Sequence, residues 1–140
     1  MSNEIYICSA ARTAIGNFNG ALSQVPSTAL GSHVIKEALA RAGVSPAIIE
    51  ECIMGCVLTG GLGQAPARQA WLGAGGADSV PCSTVGKVCG SGMQSIVSAA
   101  RALKLGEIKM AVAGGMENMS ASGRVLPAGC ESLDSAIDMM

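Results

Sequence analysis

The residues able to do chemistry in this 140-residue chain are six cysteines, one histidine and a scatter of carboxylates. Cys89 stands apart by its setting, S-T-V-G-K-V-C-G-S-G over residues 83 to 92. A β-prone run ends at Val88, Gly90 and Gly92 follow the cysteine, and a helical pattern begins at once. A sulfur on a tight strand-to-helix turn lies at a helix N-terminus. Free N–H groups and the positive end of the macrodipole favour thiolate over thiol in such a place. That is one way a fold makes a nucleophile of cysteine. A structural cysteine on a glycine-rich turn is the plainer reading, and the local pattern leaves both open.

The other candidates are weaker. Cys8, Cys52, Cys56, Cys82 and Cys130 form neither paired C-x-x-C knuckles nor the framework of a small disulfide scaffold. Cys52 and Cys56 fall on one face of an expected strand, but a chain with a single histidine offers no partner pair for a metal. Reduced, structural thiols and no metal site are expected. His33 sits in a helical stretch with Glu37 four residues on, which predicts an exposed i, i+4 pair and no catalytic relay. Gly61, Gly63, Gln64 and Arg68 read as turn-shaping and subunit-contact residues. Met93, Met116 and Met119 read as core or pocket lining, and Glu117 as a satisfied structural carboxylate. Gly90-Ser91-Gly92 has two glycines of a dinucleotide fingerprint. Its third small position is serine, it sits on the third strand, and no acidic residue ends the next strand at the usual distance.

The elements that must position these residues follow from periodicity. Ile5–Cys8 is a compact β-prone run, and residues 10 to 20 read as a loop. A helix is predicted over Ser27–Ala42, with Gly43 where a C-terminal cap belongs. Cys52–Leu58 is a near-continuous apolar run, as expected of a strand covered on both faces. Residues 59 to 63 form a glycine loop, and a helix follows over Gln64–Leu72 with Pro66 in its first turn. Ser83–Val88 is the next strand. The helix after Cys89 carries Met93, Ile96, Val97, Ala100 and Leu103 and no charge before Arg101, so burial all round is expected. Met110–Ala113 is a fourth strand, ending at Gly114-Gly115. Residues 121 to 131 read as loop, and Leu133, Ala136, Ile137 and Met140 mark an amphipathic helix.

Strands alternating with helices indicate an α/β fold with a parallel sheet and right-handed crossovers. Reactive groups in such sheets collect at the carboxyl ends of the strands, where both Cys89 and Met116–Met119 fall. A net charge of -1 and only Tyr6, Phe18 and Trp71 as aromatics argue against nucleic-acid binding. Nineteen glycines imply elements that approach closely. No run nears the ~20 apolar residues a membrane span needs. No secretory leader pattern opens the chain, so a cytoplasmic location is expected.

Four blocks then carry a resemblance. They are I-C-S-A-A-R-T-A-I-G-N-F at 7 to 18, E-C-I-M-G-C-V-L-T-G-G-L-G-Q-A-P-A-R-Q-A at 51 to 70, V-P-C-S-T-V-G-K-V-C-G-S-G-M-Q at 80 to 94, and V-A-G-G-M-E-N-M-S at 112 to 120. In that order and spacing the chain resembles the N-terminal half of a thiolase, of the acetyl-CoA acetyltransferase kind. Ketoacyl synthases share the fold and a cysteine on this turn, but the third and fourth blocks look specifically thiolase-like.

The resemblance implies an α/β fold. It is the N-terminal half of a thiolase-like fold, a mixed, mostly parallel sheet with a buried central helix following the nucleophile. It divides the chain into an incomplete N-terminal domain over 1–120 and, over 121–140, the truncated start of a loop or CoA-binding insertion. It assigns Cys89 as the acyl-thioester nucleophile, with its backbone N–H in an oxyanion hole. Coenzyme A thioesters, acetyl-CoA and acetoacetyl-CoA, are implied as substrates with no permanently bound cofactor, and a homo-oligomer is implied for the complete protein. The implied reaction is reversible Claisen condensation of two acetyl-CoA. The family's activating histidine, second cysteine and water-orienting asparagine belong to a C-terminal half not found in these residues. The chain alone is therefore expected to be inactive in turnover, and an inactive fragment or a non-enzymatic interaction module is the alternative. Gly86 stands where asparagine is common in the family, and Ala14 where proline is usual.

Overall fold

The computed structural model describes residues 4–125, 128–129 and 137–138. Helix α1 (Ser27–Ala42) turns the stripe Ser27, Gly31, Ile35 and Leu39 inward. Gly43 at φ +65° closes it, and the Gly43 and Val44 N–H groups bond the Ala40 and Leu39 carbonyls, the helix-ending arrangement that glycine permits. Strand β1 (Glu51–Gly55) leads through a loop to α2 (Pro66–Gly73), then to β2 (Cys82–Val85), α3 (Ser91–Leu105) and β3 (Ala111–Gly115).

The three strands form one parallel sheet in the order β2-β1-β3. Central β1 is buried on both faces. Cys52, Met54 and Cys56 point into a core built with Ile35, Leu39 and the α2 residues Ala67, Ala70 and Trp71. Trp71 is fully buried and its indole N–H donates to the Ala77 carbonyl at 2.8 Å, so its polar edge is satisfied. On the opposite face Gly55 lies under the start of α3, where an added Cβ would come within 2.4 Å of the Ser91 carbonyl carbon. The small residues expected to permit close approach do so here, strand backbone against helix backbone.

Several expectations are corrected. Ile5–Cys8 forms no strand. Ile7 is 83% exposed, and the segment is tied to α1 by Ser9 Oγ donating to the Ala38 carbonyl and Arg41 donating to the Ala10 carbonyl. A groove of about 460 Å³ separates residues 5 to 11 from β3, so these backbones do not pair. The strands are also displaced in length. The predicted Cys52–Leu58 strand stops at Gly55, because the Glu117 carboxylate takes the Val57 and Leu58 N–H groups out of any ladder. The strand predicted to reach Val88 stops at Val85.

Helix α3 is buried along one stripe, Ser91, Ser95 and Ala99, while Met93, Ile96 and Leu105 are exposed. The sheet presents Gly55 and Gly115 to this helix, and only a small-residue stripe fits so close an approach. Of the three methionines read as lining, Met116 is buried but Met93 and Met119 are exposed. Glu37 pairs with Arg41 at 2.6 Å, one turn on, and not with exposed His33. Ile137–Asp138, expected in a helix, is strand β5, antiparallel to β4 (Arg124–Val125), which falls in the stretch expected to be loop. The rest of the predicted helix, 133–136 and 139–140, lies outside the described residues.

Candidate active site

The carboxyl edge of the sheet gathers the end of β1, the β2–α3 turn and the segment after β3. Between Val85 and Ser91 the chain must reverse from strand to helix in a few residues. It does so with Val88 at φ +47°. That left-handed conformation costs a non-glycine residue roughly 1–2 kcal/mol, and a β-branched one is a true outlier. The turn is closed by the Gly90 N–H on the Lys87 carbonyl at 3.0 Å and the Ser91 N–H on the Val88 carbonyl at 3.1 Å. Cys89 sits on the outside of this turn, exposed, one residue before the Gly90 cap of α3. The Cys89 amide takes no part in closing the turn. Lys87 extends along the helix, its Nζ donating to Gln94 Oε1 at 2.7 Å.

The remaining thiols are differently placed. Among the described cysteines Cys52 and Cys56 are buried, Cys82 is half-buried, and Cys8 is exposed on the extended N-terminal segment away from any helix start. Burial, reinforced by neighbouring Cys82, pushes the Cys52 thiol up to about 12. Burial and then the charge of Glu117 push Cys56 up to about 11. Burial also raises Cys82. Such thiols stay protonated near neutral pH and make poor nucleophiles. Cys130 lies outside the described residues.

Glu117 acts as a backbone clamp. Its carboxylate accepts the Val57 N–H at 2.8 Å and the Leu58 N–H at 3.2 Å, and lies 3.6 Å from Cys56 Sγ. Arg68 donates to the Asp78 carbonyl at 2.9 Å, and Gln69 Nε2 donates to the Leu62 and Gln64 carbonyls, pinning the glycine loop before α2. A cavity of about 580 Å³ opens beside this loop at the ends of β1 and β2, with Cys56, Thr84 and Gly86 on its wall. Gly86 belongs to the wall and Cys89 does not. Among the described residues no cluster of His, Cys, Asp or Glu has the makings of a metal site. No described helix is long and apolar enough to cross a membrane.

Two positioning residues escaped the sequence reading. Asn118 Nδ2 donates to the carbonyls of Leu22, Ser23 and Val25, and its Oδ1 accepts the Ser120 and Ala121 N–H groups. One side chain thus ties the segment after β3 to the loop entering α1. Thr84 Oγ1 accepts the Ala67 N–H at 3.0 Å and serves the first turn of α2 from a neighbouring strand. The cap-forming habit of asparagine was a signal for the first. The second depends on a contact across the sheet that no local pattern contains.

Comparison with known proteins agrees with this arrangement. The family described as "Thiolase, N-terminal domain" matches residues 5–136. The chain is 53% identical over 124 residues to an acetyl-CoA acetyltransferase of Cupriavidus necator, covering 89% of this chain and 32% of that protein. It is 54% identical over 119 residues to the cytosolic acetyl-CoA acetyltransferase of Rattus norvegicus, covering 85% and 30%. It is 56% identical over 118 residues to the mitochondrial one of Xenopus tropicalis, covering 84% and 28%. Among solved structures, the Acat5 thiolase of Ascaris suum in complex with coenzyme A superposes with a TM-score of 0.89 at 38% identity, over 95% of this chain and 35% of that one. The chain thus spans about a third of the length of the relatives it matches. The sequence blocks, the parallel sheet and the turn before α3 all fall within the matched stretch, and this chain belongs to the thiolase family.

Proposed function

We propose that the chain carries the acyl-accepting portion of a thiolase, with Cys89 as the residue that takes up the acyl group. In this step the Cys89 thiolate attacks the thioester carbonyl of acetyl-CoA. The bond from that carbonyl to the CoA sulfur breaks, and CoA leaves as a thiolate that takes a proton. The exchange is thioester for thioester, so both directions remain accessible, as a reversible Claisen condensation requires. The Cys89 backbone N–H is the proposed donor to the oxygen of the tetrahedral intermediate. The observation that supports the reading is the contrast among thiols: Cys89 is exposed at a helix start, while Cys52 and Cys56 are buried and held protonated.

Residues 1–120 are proposed as the N-terminal thiolase domain and 121–140 as the start of an inserted CoA-binding loop. Full turnover is assigned to the complete protein, a homo-oligomer acting on acetyl-CoA and acetoacetyl-CoA. A nucleophile without its base loses orders of magnitude in rate. Incubating the chain with acetyl-CoA is expected to add one acetyl group to the peptide containing Cys89, read by mass spectrometry, and Cys89→Ala is expected to abolish it. Thiolysis of acetoacetyl-CoA by the 140-residue chain is expected to be absent. Acetylation elsewhere, or robust turnover by this chain, would contradict the proposal.

A non-enzymatic interaction module is the second reading. The exposed Met93 and Ile96, one turn apart on α3, favour it, since adjacent apolar side chains of this kind mark contact surfaces. Size measurement separates the two, because a cooperative monomer would count against the interaction role.

A further inference from the structure

Val88 keeps a left-handed φ that its branched side chain disfavours, so the surrounding structure must hold it there. The Ser91 hydroxyl is placed to do this. Its Oγ accepts the Lys87 N–H at 2.7 Å and donates to the Val88 carbonyl at 2.7 Å. Peptide planes being rigid, the soft torsions between those two backbone atoms are ψ of Lys87 and φ and ψ of Val88. The hydroxyl closes a ring around the strained residue. Ser91 is itself only 5% exposed, and its backbone is seated against Gly55 of the central strand. The clamp is therefore anchored to the sheet. Ser95, one turn further, bonds the Gly92 and Gly114 carbonyls at 2.6 Å and simply ties helix to strand. Of these two serines, Ser91 is the one whose hydroxyl spans the turn.

We propose that Ser91 is the positioning residue of the nucleophilic turn: its hydroxyl holds Val88 in the left-handed conformation and so aims the Cys89 side chain at its place before α3. The torsions that this ring fixes place the Cys89 Cα, and φ of Cys89 falls within the loop that the Ser91 hydroxyl and amide close on the Val88 carbonyl. This role rests on the reading of Cys89 as the acyl acceptor and supplies the group that orients it.

The test is peptide-resolved alkylation of the 140-residue chain by iodoacetamide, with exposed Cys8 as internal reference and buried Cys52 and Cys56 as reporters of unfolding. Ser91→Ala is expected to lower the ratio of Cys89 to Cys8 rates about fivefold or more, because the sulfur then leaves its place before the first turn of α3, and helix N-termini raise cysteine reactivity. Asparagine tolerates a left-handed φ better than valine. Adding Val88→Asn to Ser91→Ala is therefore expected to bring the ratio back to about twofold of the parent or better. Ser95→Ala is expected to lower thermal stability and leave the ratio alone. A ratio unchanged by Ser91→Ala, or not recovered in the double variant, overturns the proposal. If Ser91→Ala exposes Cys52 and Cys56, the double variant decides: folded with the parental ratio supports the clamp, and unfolded overturns it. Acetyl-CoA is absent from this assay. A failure of Cys89 to become acetylated while the ratio still falls would sink the acyl-transfer reading and keep the clamp.

Discussion

Gly86 lies on the wall of the cavity at the ends of β1 and β2, three residues before Cys89. Nothing in its geometry demands glycine. It is not among the positive-φ residues, and a Cβ added there meets nothing within 4 Å. The resemblance to thiolases predicted a side chain at this position, and the space for one is present. Gly86→Ala is expected to stabilise the chain by about 0.4–1 kcal/mol by removing freedom from the unfolded state. Urea denaturation checks this, and a midpoint below that of the parent would count against it. Val88 is the opposite case. Valine reads as a strand residue, and its place in the sequence predicted the last position of a strand. Its left-handed φ is decided by Ser91 and by the seating of α3 on Gly55, neither of which a β-propensity contains.

At the scale of elements, α1, α2 and α3 were legible within a few residues, because each carries an apolar period and glycine or proline at its ends. Which face of α3 is buried was not legible. Hydrophobicity pointed to Met93, Ile96 and Leu103, but the sheet offers Gly55 and Gly115, and the helix turns Ser91, Ser95 and Ala99 toward them. Close backbone approach outweighed side-chain size. Gly55→Ala is expected to destabilise the chain by about 2–3 kcal/mol, since its Cβ would meet the Ser91 carbonyl carbon at 2.4 Å and rigid backbone cannot yield as a side chain can. Gly92→Ala, whose Cβ would find its nearest neighbour at 3.7 Å, is expected to cost distinctly less. Equal losses in urea midpoint for the two variants would contradict this account of how α3 docks.

At the scale of the molecule, the buried thiols make stability depend on alkaline pH. Folding raises Cys52 from 9.0 to about 12 and Cys56 from 9.0 to about 11. The unfolded chain therefore releases these protons before the folded one does. Above about pH 9 it binds fewer protons, and stability falls as pH rises, by at most roughly 1.4 kcal/mol per unit for each thiol until the folded value is passed. Below pH 9 these thiols contribute their full stabilisation. Urea midpoints measured between pH 8 and 10.5 are expected to drop, and less so in Cys56→Ala. A flat profile would mean that these thiols are not buried as described.

The sequence by itself determined the family and the alternation of helix and strand. It also singled out Cys89 and the carboxyl edge of the sheet. Local periodicity and short glycine-containing motifs carry that information without reference to distant residues. Tertiary structure decided the rest. It left Ile5–Cys8 unpaired across a groove from β3, gave Glu37 to Arg41, and set Glu117 and Asn118 as clamps on loops remote in sequence. It also bent the chain at Val88. Each of these outcomes depends on which backbone groups meet across the fold, and a pattern read along one strand or helix does not contain its partner.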